Sequence, residues 1–240
     1  MNIQPIALFR SPFATKFGIP RQSGLAASLR GRIILEPAFR DPSALRGLEE
    51  FDYIWLIWEF SGNRRSGEES SQSPDKAPAD KTAVWQPTVR PPRLGGNARI
   101  GVFASRSPFR PNPLGLSCVR LDHIEWDAPE GPVIHVLGAD LMDGTPIYDI
   151  KPYVAYADSR PDARSGFVDS HDWDPLKVVF DTPSPFGPED TEMLRDILSQ
   201  DPRPAYHDDP SKTYGMLWSG YDIRFRVADG ILTVTEIRLA

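Results

Sequence analysis

The chain has a single cysteine, Cys118, so it can form neither an internal disulfide nor a paired-cysteine metal or redox motif. Beside Val119 that thiol reads as core filler rather than as a nucleophile. No apolar run approaches the roughly 18 residues that span a bilayer. The start, MNIQPIALFRSPF, lacks the basic-then-apolar order of a secretory signal, so a cytoplasmic protein without membrane association is expected. A GxxxxGK[ST] loop, a GxGxxG after a strand, an HExxH pair and a GxSxG elbow are all missing. These gaps argue against P-loop, Rossmann, zinc-hydrolase and serine-hydrolase chemistry. His123, His135, His171 and His207 lie far apart, and no metal is expected.

The most informative absence is of acid. Net charge is −6, yet no Asp or Glu occurs from Lys81 to Leu121, where seven bases stand; residues 122–240 carry 23 acids against ten bases. Within the acid-free span, Val89–Ser117 reads VRPPRLGGNARIGVFASRSPFRPNPLGLS, with Arg90, Arg93, Arg99, Arg106 and Arg110 set among five prolines and four glycines. Proline removes a backbone donor and glycine lets backbone approach a ligand, so only Ile100–Ala104 reads as regular structure, a buried strand. The rest is shaped loop. Guanidinium groups bind phosphate in a bidentate way and stack on bases, which suits an anionic, aromatic ligand.

The length fits one large domain, or one domain with a small appendage. Strands are expected at 3–10, 31–39, 53–60, 118–126 and 133–144, the third continuously apolar and so buried on both faces or at a subunit contact. DPSALRGLEEF (41–51) reads as one short helix capped by Asp41. Residues 61–82 are poor in apolar side chains and read as a flexible loop. Residues 11–21 read as an ordered site loop, and 151–167 as irregular. Many short strands with little helix predict a mainly β protein, a closed or nearly closed antiparallel barrel. Beyond a join at 168–188, a helix at 188–200 and a hairpin turning at Asp229–Gly230 predict a small α+β C-terminal domain. The division is 1–167 and 168–240.

FRSPF, RPPRLGGNARIGVFASRSPFRPNPLGLS, DLMDGTPIYDIKPY and DPRPAY together resemble the TsaA/TrmO family of tRNA methyltransferases over nearly the whole chain. The resemblance implies the class VIII, β-barrel methyltransferase fold, in a homodimer whose cofactor lies near the subunit interface. It implies an S-adenosylmethionine-dependent enzyme that methylates N6 of N6-threonylcarbamoyladenosine beside the anticodon of threonine tRNA. It places Pro12, Phe13, Ala14, Phe60, Ser61, Arg106, Leu116, Asp140, Leu141 and Asp143 near the cofactor, the apolar ones through backbone contacts.

In that light the residues can be assigned roles. Asp140 and Asp143 can hold the ribose or amino group, or offset the sulfonium charge; Phe13 and Phe60 can supply apolar wall. The N6 proton must leave, and Asp140, Asp143 or Tyr148 can accept it. Lys16, Arg21, Arg90, Arg93, Arg99, Arg110 and Lys151 are candidates for the tRNA backbone or the substrate's carboxylate. Arg203 in the DPRPAY turn, with Arg224 and Arg226, can grip the anticodon stem-loop. A small-molecule methyltransferase and a non-enzymatic RNA-binding protein are the competing readings.

Overall fold

A computed structural model describes residues 3–61, 85–91, 98–169, 174–204 and 209–240. Eight strands come first: β1 (Ala7–Arg10), β2 (Arg30–Leu35), β3 (Tyr53–Glu59), β4 (Thr88–Val89), β5 (Ile100–Gly101), β6 (Leu114–Glu125), β7 (Val133–Leu137) and β8 (Pro146–Pro152). Six of them close into a barrel in the order β1-β2-β7-β6-β3-β8, every pair antiparallel, with β8 returning to β1. Closure pairs both edges of the sheet, leaving no open template for aggregation. The alternation of side chains sends Phe9, Ile33, Ile54, Leu56, Val119, Ile134 and Ile147 inward to one core.

Several expectations change. The 53–60 strand is not buried on both faces: Ile54, Leu56 and Trp58 face the core, while the residues between them are more exposed. Its outward Trp55 is covered instead by Tyr153 at 6.1 Å. A short helix, α1 (Ala155–Asp158), lies on the same side, and the Trp55 indole donates to Asp158 at 3.0 Å. The single helix expected at 41–51 is two 3-10 turns, Pro42–Leu45 and Leu48–Glu50, separated by an extended Arg46; only Leu45 is buried, too little apolar surface to hold a continuous helix. Asp41 does cap the first, accepting from the Ser43 amide at 2.8 Å. The strand read in 31–39 runs to Leu35, and Pro37 ends it as its sequence implies, starting another 3-10 turn. The buried strand expected at 100–104 is only Ile100–Gly101, followed by a 3-10 turn in which Val102 alone is buried. The 133–144 strand ends at Leu137, and β8 begins the segment that read as irregular. Residues 62–82 of the predicted loop lie outside the described residues, as do Arg93, His171 and His207.

The C-terminal part adds β9 (Lys177–Phe180), α2 (Pro188–Ser199), β10 (Tyr214–Trp218), β11 (Tyr221–Ala228) and β12 (Ile231–Leu239). The expected hairpin is there, turning at Asp229 and Gly230, both at positive φ. It belongs to a four-stranded sheet ordered β10-β11-β12-β9, with β9 parallel to β12. Met193, Leu194, Ile197 and Leu198 are the buried face of α2. Their core also takes in Phe13, Ala26 and Leu29 from the loop after β1. That loop is tied across further by the Ser219 amide to the Pro12 carbonyl at 2.9 Å and by the Ser28 hydroxyl to Asp196.

Candidate active site

Four segments meet at one end of the barrel: the loop after β1, the end of β3, the stretch 105–116 leading into β6, and the turn 139–145 before β8. They enclose a cleft of about 530 Å³ whose walls include Lys16, Arg21, Gln22, Trp58, Glu59, Phe60, Ser61, Arg106, Arg110, Leu116 and Asp140. A cleft this size is in the range of cofactor sites. Its charged walls hold four cations and two carboxylates.

The floor is ordered by a short relay. The Trp58 indole donates to the Ser117 hydroxyl at 3.0 Å, and that hydroxyl donates to Asp140 Oδ1 at 2.6 Å. Register explains the arrangement: Trp58 pairs with Gly115 across β3 and β6, and a Cβ on Gly115 would overlap the indole ring. The missing side chain lets the ring lie flat against the neighbouring strand. Burial raises the Asp140 carboxyl above the usual range, opposed by the Ser117 hydroxyl, by backbone hydrogen bonding, and by the Arg106 guanidinium. Asp140 still keeps part of its surface open. At the rim, Arg106 donates to Gln22 and so joins the arginine stretch to the loop after β1. Phe60 packs on Trp58 with ring centroids 4.3 Å apart. Glu59 accepts from the Tyr148 hydroxyl at 2.6 Å.

The structure brings together Phe60, Ser61, Arg106, Leu116 and Asp140 from the expected cofactor set, and Lys16, Arg21 and Arg110 from the substrate set. Others lie elsewhere. Asp143 and Pro12 line a second cleft, with Arg10, Arg32, His123 and His135. Asp143 accepts from the Ser11 amide at 3.1 Å and from Arg10 at 3.4 Å, holding the loop after β1 to the following turn. The Phe13 side chain is wholly inside the C-terminal core and Leu141 inside the barrel core, while Ala14 is exposed.

Most of the expected RNA cations already have partners within the fold. Arg99 donates to the Thr88 hydroxyl at 2.8 Å and the Thr88 carbonyl at 3.1 Å, clamping β5 to β4. Arg110 holds the Ser105 carbonyl at 2.8 Å. Arg203 forks onto Asp201 at 2.8 and 2.9 Å, Arg224 pairs with Asp222 at 2.6 Å, and Lys151 pairs with Asp149 at 3.0 Å. Arg226 donates to Thr213 at 3.0 Å; Arg90 is exposed. The sequence reading missed Trp58, Ser117, Gln22 and Glu59. The polar Ser117 inside an otherwise apolar alternation, and an acid closing the apolar run YIWLIW, were the available signals. Among the described residues no three metal-ligating side chains gather, and no helix is long and apolar enough to cross a membrane.

The family model of the tRNA-methyltransferase O N-terminal domain matches residues 8–159, and that of the TrmO C-terminal domain matches 186–240. The chain belongs to the tRNA-methyltransferase O family. It is 40% identical to the tRNA (adenine(37)-N6)-methyltransferase of Escherichia coli K12, over 95% of this chain and 94% of that one. It is 39% identical to a Pseudomonas aeruginosa protein provisionally named an S-adenosylmethionine-dependent methyltransferase, over 90% and 89%. The crystal structure of TrmO from Pseudomonas aeruginosa superposes with a TM-score of 0.72 at 30% identity, covering 100% of this chain and 97% of that one.

Proposed function

We propose that the cleft is the active site of an S-adenosylmethionine-dependent methyltransferase that methylates N6 of an adenine in tRNA. The observation that carries this reading is the Trp58–Ser117–Asp140 relay at the floor of a cleft walled by the arginine stretch. The donor set fits the cofactor: carboxylates for a diol, an ammonium or a sulfonium, apolar Phe60 and Leu116 for a ring, and Lys16, Arg21 or Arg106 for a carboxylate. When bound, the cofactor supplies a methyl group already activated as a sulfonium.

The protein's part is then placement, which in favourable cases lowers a barrier by about 7–11 kcal/mol. Asp140, held by Ser117, fixes one end of the donor pocket. Glu59, held by Tyr148, presents a second carboxylate to the same cleft. The N6 lone pair of a carbamoylated adenine is delocalised, so a carboxylate accepting the N6 proton aids the attack. Asp140 is the residue proposed for that step; Asp143 instead positions the loop after β1 through Ser11 and Arg10.

The finer reading is that the substrate is N6-threonylcarbamoyladenosine beside the anticodon of threonine tRNA. The cleft's surplus of cations supports it, since that base carries a carboxylate. The enzyme is proposed to act in the cytoplasm as a homodimer. Residues 1–167 are proposed as the catalytic part and 168–240 as a tRNA contact that also backs the cleft. Mass spectrometry of threonine tRNA from a deletion strain tests the reading. Loss of the N6-methyl form is expected; its persistence at full level refutes the assignment.

A further inference from the structure

Between the end of β3 and the start of β6 the chain makes a long excursion before re-entering the barrel at the pair Glu59 and Leu114. Its described part presents large apolar rings to solvent, the most exposed being Phe103 at 74%, with Phe109 at 43%. A lone exposed ring is ordinary on a folded surface, so what distinguishes this one is where it sits. The backbone that carries the ring is held in place. Phe103 sits on the 3-10 turn Val102–Ala104, whose Val102 is buried. The Ser105 hydroxyl donates back to the Val102 carbonyl at 2.9 Å, and Arg110 clamps the Ser105 carbonyl at 2.8 Å. The Arg110 guanidinium carbon lies 5.9 Å from the Phe103 ring centre. Ser105 and Arg110 line the active-site cleft, so the turn that carries Phe103 stands at its lip.

We propose that Phe103, with the Arg110 guanidinium beside it, is a stacking platform for an unpaired base of the tRNA loop next to the adenine presented to the cleft. This rests on the methyltransferase reading above and adds a contact for the neighbouring base. Bases in a loop can splay outward, and an aromatic face beside a guanidinium stacks them whatever their identity. The charge pattern selects this occupant: the whole span from Lys81 to Leu121 contains bases and no acid, which suits a polyanion. A second copy docking on this face by two-fold symmetry would bring the same arginines against one another, which is unfavourable.

The test uses the full chain and an anticodon stem-loop carrying 2-aminopurine beside the target adenine. Phe103→Ala is expected to weaken stem-loop binding roughly 5- to 100-fold and to remove most of the 2-aminopurine quenching. Phe103→Trp is expected to restore both. S-adenosylmethionine affinity by calorimetry and the sedimentation mass should not move, which separates a lost stacking contact from misfolding. If Phe103→Ala binds and quenches like the parent while the parent methylates tRNA, this proposal fails alone. If Phe103→Ala changes the sedimentation mass and leaves RNA affinity intact, the ring is a subunit contact and the proposal fails. A parent protein that neither binds nor methylates tRNA overturns the methyltransferase reading and this one together.

Discussion

Gly18 is where the cleft wall and the C-terminal core meet. It lies between Lys16 and Arg21, both lining the cleft, has φ +95°, and faces Met216, which is fully buried in the C-terminal core. A Cβ at this position would overlap the Met216 thioether and stand 2.7 Å from Met216 Cγ. Gly18→Ala therefore meets two costs. The left-handed backbone costs an L-residue about 1–2 kcal/mol, and forcing Met216 to repack costs about 1–3 kcal/mol. The sum, about 2–5 kcal/mol, is a large share of an ordinary domain's stability. Urea unfolding followed by tryptophan fluorescence measures it, and calorimetry with S-adenosylmethionine reads the cleft, whose affinity should fall because the wall itself must shift. Met216→Ala alone should cost about 2–5 kcal/mol through the cavity it leaves. The double variant should cost less than the two added, since removing the thioether relieves the overlap and leaves only the backbone term. Additivity within about 0.5 kcal/mol would refute the steric part. An unchanged midpoint for Gly18→Ala would refute the whole argument.

The strand pattern was legible because alternation needs only local sequence: Ile54, Leu56 and Trp58 repeat with period two whatever they pack against. So was the Asp229–Gly230 turn, because few residue pairs supply positive φ at two successive positions. The lining role of Phe60, Arg106, Leu116 and Asp140 was legible only through motif resemblance, and of these the structure now adds geometry to each. What remained hidden depends on register between distant strands. Ser117 reaches Asp140 because β6 pairs with β7, Arg120 opposite Leu137, so that the turn after β7 passes Ser117, a relation that no spacing within β6 records. Likewise the arginines read as free cations, but Arg99, Arg203 and Arg224 meet carbonyls, hydroxyls and carboxylates brought near by folding. A chain rich in proline and glycine must build its loops from side-chain clamps, and arginine, with five donors, serves that purpose as well as it serves phosphate.

Ser117→Ala removes the hydroxyl that joins Trp58 to Asp140 and should lower kcat more than it changes tRNA affinity; single-turnover kinetics checks this, and an unchanged rate would make the relay purely structural. Arg99→Ala should destabilise the β4–β5 clamp by about 0.5–1.5 kcal/mol per lost hydrogen bond, read by urea midpoint, with the salt dependence of tRNA binding unchanged if the residue only clamps. Asp140→Asn should abolish most activity while leaving the protein folded, and its pH dependence carries the sign of the burial argument. The Asp140 carboxyl is raised in the folded state, burial being the main cause, so between the unfolded value near 4 and the higher folded one the native protein holds more protons than the unfolded chain. Stability attributable to this group therefore falls as pH rises through that window and is constant above it. The carboxamide of the variant has no proton to lose. The stability of Asp140→Asn relative to the parent should then improve as pH rises from about 4 and level off once the parent's carboxyl is ionised. Paired urea titrations across the acid range give that difference directly, and a flat or falling trend would mean that the charge is not being desolvated at the cleft floor.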